Sequence, residues 1–172
     1  MRAAGPLAAM ADLNFQLIMK FLEADPKQIK ETLVQASASG HILLFDRLFS
    51  LFYEDESYKG TREELRERGH LPTREWILEF CLIYTVFRGQ NAMIDHFAYD
   101  YGIQLTRYPH LLHKAVLGGR PGSISHLIEV HGFPPNRIFE GQTAREVAVQ
   151  FGERSAAELL LKYETEMGSQ QG

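Results

Sequence analysis

Seven histidines and a single cysteine, Cys81, carry most of the reactive chemistry in this 172-residue chain. His110 and His113 are three apart, a spacing that sets two imidazoles on one side of a helical turn, and His126 and His131 follow as further candidates. Imidazole is a common zinc ligand, but zinc needs three or four converging donors. No paired cysteine and no acidic residue has matching spacing, so no metal site and no cofactor are expected. Asp95-His96 suggests a general base, with Tyr84 or Glu79 near it once helices pack. Adjacent helical residues point about 100° apart, so Asp95 cannot orient His96 itself. Cys81, followed by Leu82-Ile83, reads as a buried thiol rather than a nucleophile. Gly-rich phosphate loops, His-Glu-x-x-His and Gly-x-Ser-x-Gly are absent, and no catalytic residue is assigned.

Composition narrows the class. Hydrophobic residues at 45% and charged residues at 23% suit a water-facing globular domain. A formal charge of −4 provides no basic footprint for phosphate, so nucleic acid is not an expected partner. The first ten residues are too weakly apolar for a secretory segment, and no run reaches the roughly 18 apolar residues of a membrane helix. One cysteine rules out an internal disulfide. A cytoplasmic protein is expected, with a nuclear location left open.

The elements that position these residues emerge from an internal repeat. His110-Leu-Leu-His-Lys-Ala-Val-Leu-Gly-Gly-Arg120 aligns without gaps on Thr143-Ala-Arg-Glu-Val-Ala-Val-Gln-Phe-Gly-Glu153. Ala115 and Ala148 are 33 apart, as are Gly119 and Gly152, and Leu127 and Leu160. Two weaker copies precede them, one with Thr85, Gly89, Ile94 and Phe97, the other with Ala36, Gly40, Phe45 and Leu48. In each copy a small residue stands four before a glycine, and further residues follow at five (Ala157 in the last copy) and eight. The small residue admits a close helix, the glycine ends the first helix, and the later residues share one face of the second. Such a pair cannot bury its apolar face alone, so neighbours must stack.

This 33-residue pattern resembles the ankyrin-repeat family, most clearly at Leu111-Leu-His113-Lys-Ala115 and at Gly141-x-Thr143-Ala144. The resemblance spans about 26–163 and is degenerate in the first two units. It implies an all-α, helix-turn-helix solenoid of about four units, with His113 in the family's structural histidine position. Departures accompany it. Thr143-x-x-Glu146 is a capping box in place of Thr and His, the second unit has lost both polar residues, and Arg145 replaces a buried leucine.

Residues 1–10 are expected to be a flexible start, 11–163 the repeat domain, and 164–172 a flexible polar tail. Leu13, Leu17, Ile18, Phe21 and Leu22 form a stripe on an N-terminal capping helix that ends before Asp25-Pro26. Gly40 and Gly89 are 49 apart, which leaves 16 residues of insertion within about 53–72. That insertion is charged, and Thr61-Arg-Glu-Glu64 suggests a short exposed helix from about Thr61 to Arg68. Just before it, Ile42, Leu43, Leu44, Phe45, Leu48, Phe49, Leu51 and Phe52 cover more than one helical face. The N-terminal helix and the insertion are expected to cover this first unit, which otherwise offers a surface for a second copy. Most of the aromatic residues are assigned to the core. Thr73 is the expected cap for a helix carrying Trp76, whose indole is expected to pack on the insertion.

By resemblance, a protein partner would bind at the concave face and hairpin tips. The helix positions carried over are Phe87, Arg88, Leu117, Gln150 and Phe151, with Gly118 beside Leu117. The hairpin positions are Arg107, Tyr108, Phe139, Glu140 and Gln142. A non-enzymatic adaptor or inhibitor is the expected function. The alternative is an enzyme or small-molecule binder using a pocket in the degenerate units.

Overall fold

The computed structural model describes residues 6–169, with side chains over 14–167. Ten α-helices and one two-stranded hairpin account for most of these residues, so the protein is all-α as expected. Eight helices form four consecutive pairs. They are α2 (Ile29–Ala38) with α3 (Ile42–Phe49), α5 (Arg74–Arg88) with α6 (Asn91–Tyr99), α7 (Leu111–Leu117) with α8 (Pro121–Glu129), and α9 (Ala144–Gln150) with α10 (Arg154–Ser169). Helix α1 (Pro6–Ala24) precedes the first pair, and α4 (Lys59–Glu67) lies between the first and second.

The glycine-centred skeleton explains why each pair folds as it does. Gly40, Gly89, Gly119 and Gly152 all take positive φ, between 62° and 79°. In every pair the next backbone N–H turns back to the carbonyl of the small residue. His41 donates to Ala36 at 2.8 Å, Gln90 to Thr85 at 3.1 Å, Arg120 to Ala115 at 3.0 Å and Glu153 to Ala148 at 2.8 Å. This closure satisfies a terminal carbonyl of the first helix and aims the chain into the second. The small residues are buried, and Phe45, Leu48, Ile94, Phe97, Ile124, Leu127 and Leu160 have essentially no exposure.

The first helices of the pairs, α2, α5, α7 and α9, pack side by side in chain order as an inner row. Helix α7 comes very close to α5 at Gly118, where an added Cβ would meet the Phe87 carbonyl oxygen at 2.1 Å. Gly118 is therefore a packing spacer and not the variable surface position expected of it. The second helices form an outer row joined by polar links. Asp46 on α3 reaches His96 on α6, Asp95 on α6 reaches His126 on α8, and Tyr163 on α10 donates to Ser125 and Glu129 on α8.

The insertion is more than a solvated excursion. Helix α3 runs on into a π-helical turn, Ser50–Glu54, whose end leaves carbonyls without helical partners. Arg62, buried on α4, ties this end to the insertion: its Nε donates to Phe52 O at 2.7 Å and its Nη2 at 2.6 Å to Asp55 O, which also accepts the Tyr58 N–H. Leu65 is buried beside it. The expected capping box at Thr61 does not form. Asp55 caps a 3-10 turn over Glu56–Tyr58 instead, and that turn feeds α4 two residues early.

At the N-terminus, Leu22 enters the core and Ile18 packs against it, while Leu17 and Phe21 stay exposed. The side chain of Leu13 lies outside the described residues. Helix α1 starts at Pro6, inside the stretch expected to be flexible, and α10 continues past Tyr163 to Ser169. Residues 1–5 and 170–172 lie outside the described part. Arg145, partly exposed, lies against α10, its Nε 2.7 Å from Glu164 Oε2 as an ion pair without an aligned hydrogen bond.

Candidate functional site

Helix α5 begins at Thr73, whose Oγ1 accepts the Trp76 N–H as expected. Ile77, Leu78, Cys81, Leu82, Thr85 and Val86 bury one side of it between its neighbours. The other side carries Trp76, Phe80, Tyr84 and Phe87, at the i, i+4, i+8, i+11 spacing of a single stripe. Trp76 stacks on Phe80 with ring centroids 4.6 Å apart, and Phe80 meets Tyr84 at 5.0 Å. Trp76, Tyr84 and Phe87 remain 44%, 42% and 39% exposed. Lys30 on α2 lies 5.9 Å above the Phe80 ring. With Lys27, His70 and Pro72, Trp76 and Lys30 line a shallow pocket of about 200 Å³. Trp76 therefore stacks on Phe80 and shares this pocket with His70 and Pro72 at the end of the insertion.

The residues named from the sequence fall into two groups around this stripe. Phe87, Arg88, Leu117, Gln150 and Phe151 are exposed at the C-terminal ends of inner helices. The loop group is more tied down. Ile138–Phe139 pairs antiparallel with Gln142–Thr143 across Glu140 (φ 52°) and Gly141 (φ 81°), the two left-handed residues of a tight hairpin. His113 Nε2–H donates to Gln142 O at 2.9 Å, and the Phe139 ring rests on both His110 and His113. Phe139 and Tyr108 are thus half-buried, whereas Arg107, Glu140 and Gln142 are exposed. Gln142 Nε2 donates to Gln150 Oε1 at 3.1 Å, joining the hairpin to the inner row. Thr143 and Glu146 form the expected capping box.

The structure separates the histidines that spacing had grouped. His110 and His113 serve the hairpin; burial lowers the His110 pKa, and its Nε2 is buried without a partner. His96 has Asp100 Oδ2 2.8 Å from Nδ1 and Asp46 Oδ1 2.7 Å from Nε2, so neither nitrogen faces a substrate. Tyr101 also donates to Asp46, at 2.9 Å. Burial, then that hydrogen bond, raises the Tyr101 pKa. His126 and His131 both turn to Asp95, the acidic partner that spacing failed to supply. Cys81 is fully buried, and burial pushes its thiol up to about 12, which leaves it protonated and unreactive.

Trp76, Phe80 and Tyr84 are the members of the face that the sequence did not single out: Trp76 was expected against the insertion, Tyr84 near Asp95-His96, and Phe80 among the core aromatics. Their signal was present: α5 is apolar on two opposite sides, and one inner helix cannot bury both. A second exposed apolar feature is the trough between α1 and α3, about 920 Å³, lined by Phe15, Leu17, Ile18, Leu43 and Leu44 among others. It lies on the first unit, the surface considered from the sequence for a second copy.

Among the described residues no helix is long and apolar enough to cross a membrane. No family model, curated protein or solved structure matches the chain.

Proposed function

We propose that this chain is an ankyrin-type repeat protein that binds a protein partner through its inner-helix face and hairpin, without chemistry of its own. The 33-residue skeleton, the paired helices and the left-handed glycines support the ankyrin-type reading. The observation that carries the function is the exposed Trp76-Phe80-Tyr84-Phe87 stripe. An unpartnered aromatic row next to Arg88 has the residue types that dominate binding hot spots. Single exposed apolar residues are ordinary, but several aromatic residues on one helical face mark a contact surface. The inner row behind it is close-packed, so the surface is presented rigidly and little ordering entropy is lost on binding.

Alanine substitution tests this reading. Trp76→Ala with Tyr84→Ala, and separately Phe87→Ala with Arg88→Ala, should each weaken partner capture at least ~30-fold, on the scale of one hot-spot residue. Far-UV circular dichroism and melting should stay at wild-type values. Full capture by both double variants would place the partner elsewhere.

A further inference from the structure

We propose that Asp95, His126 and His131 form a binding site for a zinc-class divalent cation between the second and third outer helices. One oxygen of Asp95 lies 2.7 Å from His126 Nε2 and 2.8 Å from His131 Nε2. The three donor atoms all lie within 4.8 Å of one another. They come from three places: Asp95 from α6, His126 from the last turn of α8, and His131 from the turn that follows.

The fold fixes that last donor. Gly132 takes φ 68°, and Phe133, buried, donates its N–H to Leu127 O at 3.0 Å, so the chain reverses just after His131. The His131 ring is flanked by Tyr99 at 5.8 Å and by His126 at 5.2 Å. The His131 side chain is only 7% exposed and that of His126 17%, whereas Asp95 keeps 35%. Two sheltered imidazoles therefore converge on a carboxylate that is open on one side.

Two nitrogens and one oxygen suit a borderline cation such as zinc, and not magnesium or calcium, which prefer oxygen shells. Zinc bonds of about 2.0–2.1 Å set neighbouring ligands roughly 3.3 Å apart in a tetrahedron. The two nitrogen–oxygen separations must therefore each open by about half an ångström when the cation binds. Each imidazole stays neutral and shifts its hydrogen from Nε2 to Nδ1, which frees the Nε2 lone pair for the metal. The fourth position faces solvent beside Asp95, so water completes the shell. A cation held there clasps α6 to α8.

Cobalt(II), as a visible reporter, and zinc titrated into the full chain test the site. One tetrahedral cobalt per chain is expected, displaced by one equivalent of zinc, with a rise in melting temperature. Asp95→Asn and His131→Gln should each weaken binding by more than the about 10–100-fold that loss of an outer-sphere partner costs. His41→Gln should not change it. Should those variants fail to fold, imidazole nitrogen resonances of the wild-type chain decide: zinc should move His126 and His131 and leave the other five in place. Absence of saturable cobalt binding, or zinc-induced shifts at other histidines alone, would overturn the proposal.

Discussion

The inner and outer rows of helices are held together by different physics. Inner helices meet backbone to side chain, with Ala36, Ala115 and Ala148 buried and Gly118 against the Phe87 carbonyl. Outer helices add polar links to their apolar contacts: Phe45 meets Phe97 at 5.3 Å, and Asp46 reaches His96, Asp95 reaches His126 and His131, and Tyr163 reaches Ser125. Close packing is unforgiving of a single methyl group, whereas a half-exposed hydrogen bond can be replaced by water. The inner row is thus a stiff platform for the aromatic stripe. The outer row is adjustable, and a cation at Asp95 would tighten it without touching the binding face.

The largest expected effect breaks the platform. Gly118→Ala places a carbon where no carbon fits against backbone, and should cost about 3 kcal/mol or more. For a chain of this size that is a fall in melting temperature of roughly 6–12 °C by calorimetry. Gly122→Ala, on outer helix α8 with open space around it, is the matched control and should be neutral or stabilising. Equal destabilisation by the two would erase the distinction between rows. An intermediate effect is expected of Asp46→Ala, which removes the shared acceptor of His96 and Tyr101. Water can reach that site, so the loss by urea unfolding should be about 1–2 kcal/mol, with partner affinity unchanged. Thr143→Ala should do least, about 1 kcal/mol for a lost cap. Hydrogen bonds from Thr143 hold the Glu146 carboxyl below its usual range. That contribution is present at neutral pH and is lost as pH falls through the depressed folded value. The gap between wild type and Thr143→Ala should therefore narrow in acid.

Local patterns were legible and distant ones were not. Gly40, Gly89, Gly119 and Gly152, the small residues before them and the buried residues after them all act within one helix pair, so their spacing was sufficient. Thr73 and Thr143 cap helices within three residues and were equally readable. The Asp46–His96 link crosses 50 residues that include an insertion of irregular length, and no fixed period reports it. Arg62 looked like one more charge in a charged run, because its partners are two backbone carbonyls, one in a π-helical turn and one just after it, that composition does not reveal. Of the aromatic stripe of α5 only Phe87 was read as a contact residue, because Trp76, Phe80 and Tyr84 were each placed singly and the second apolar side of α5 shows only when all four are set on one helical face.

The most direct test of partner binding is site-specific photo-cross-linking in cells that express the protein. A photoreactive phenylalanine analogue replaces Tyr84 on the inner face in one sample and the exposed Tyr99 on the outer row in another. One discrete cross-linked protein from position 84, absent from position 99, is the expected result. The same cross-link from position 99 alone, or a cross-link only to a second copy of this chain, would contradict it.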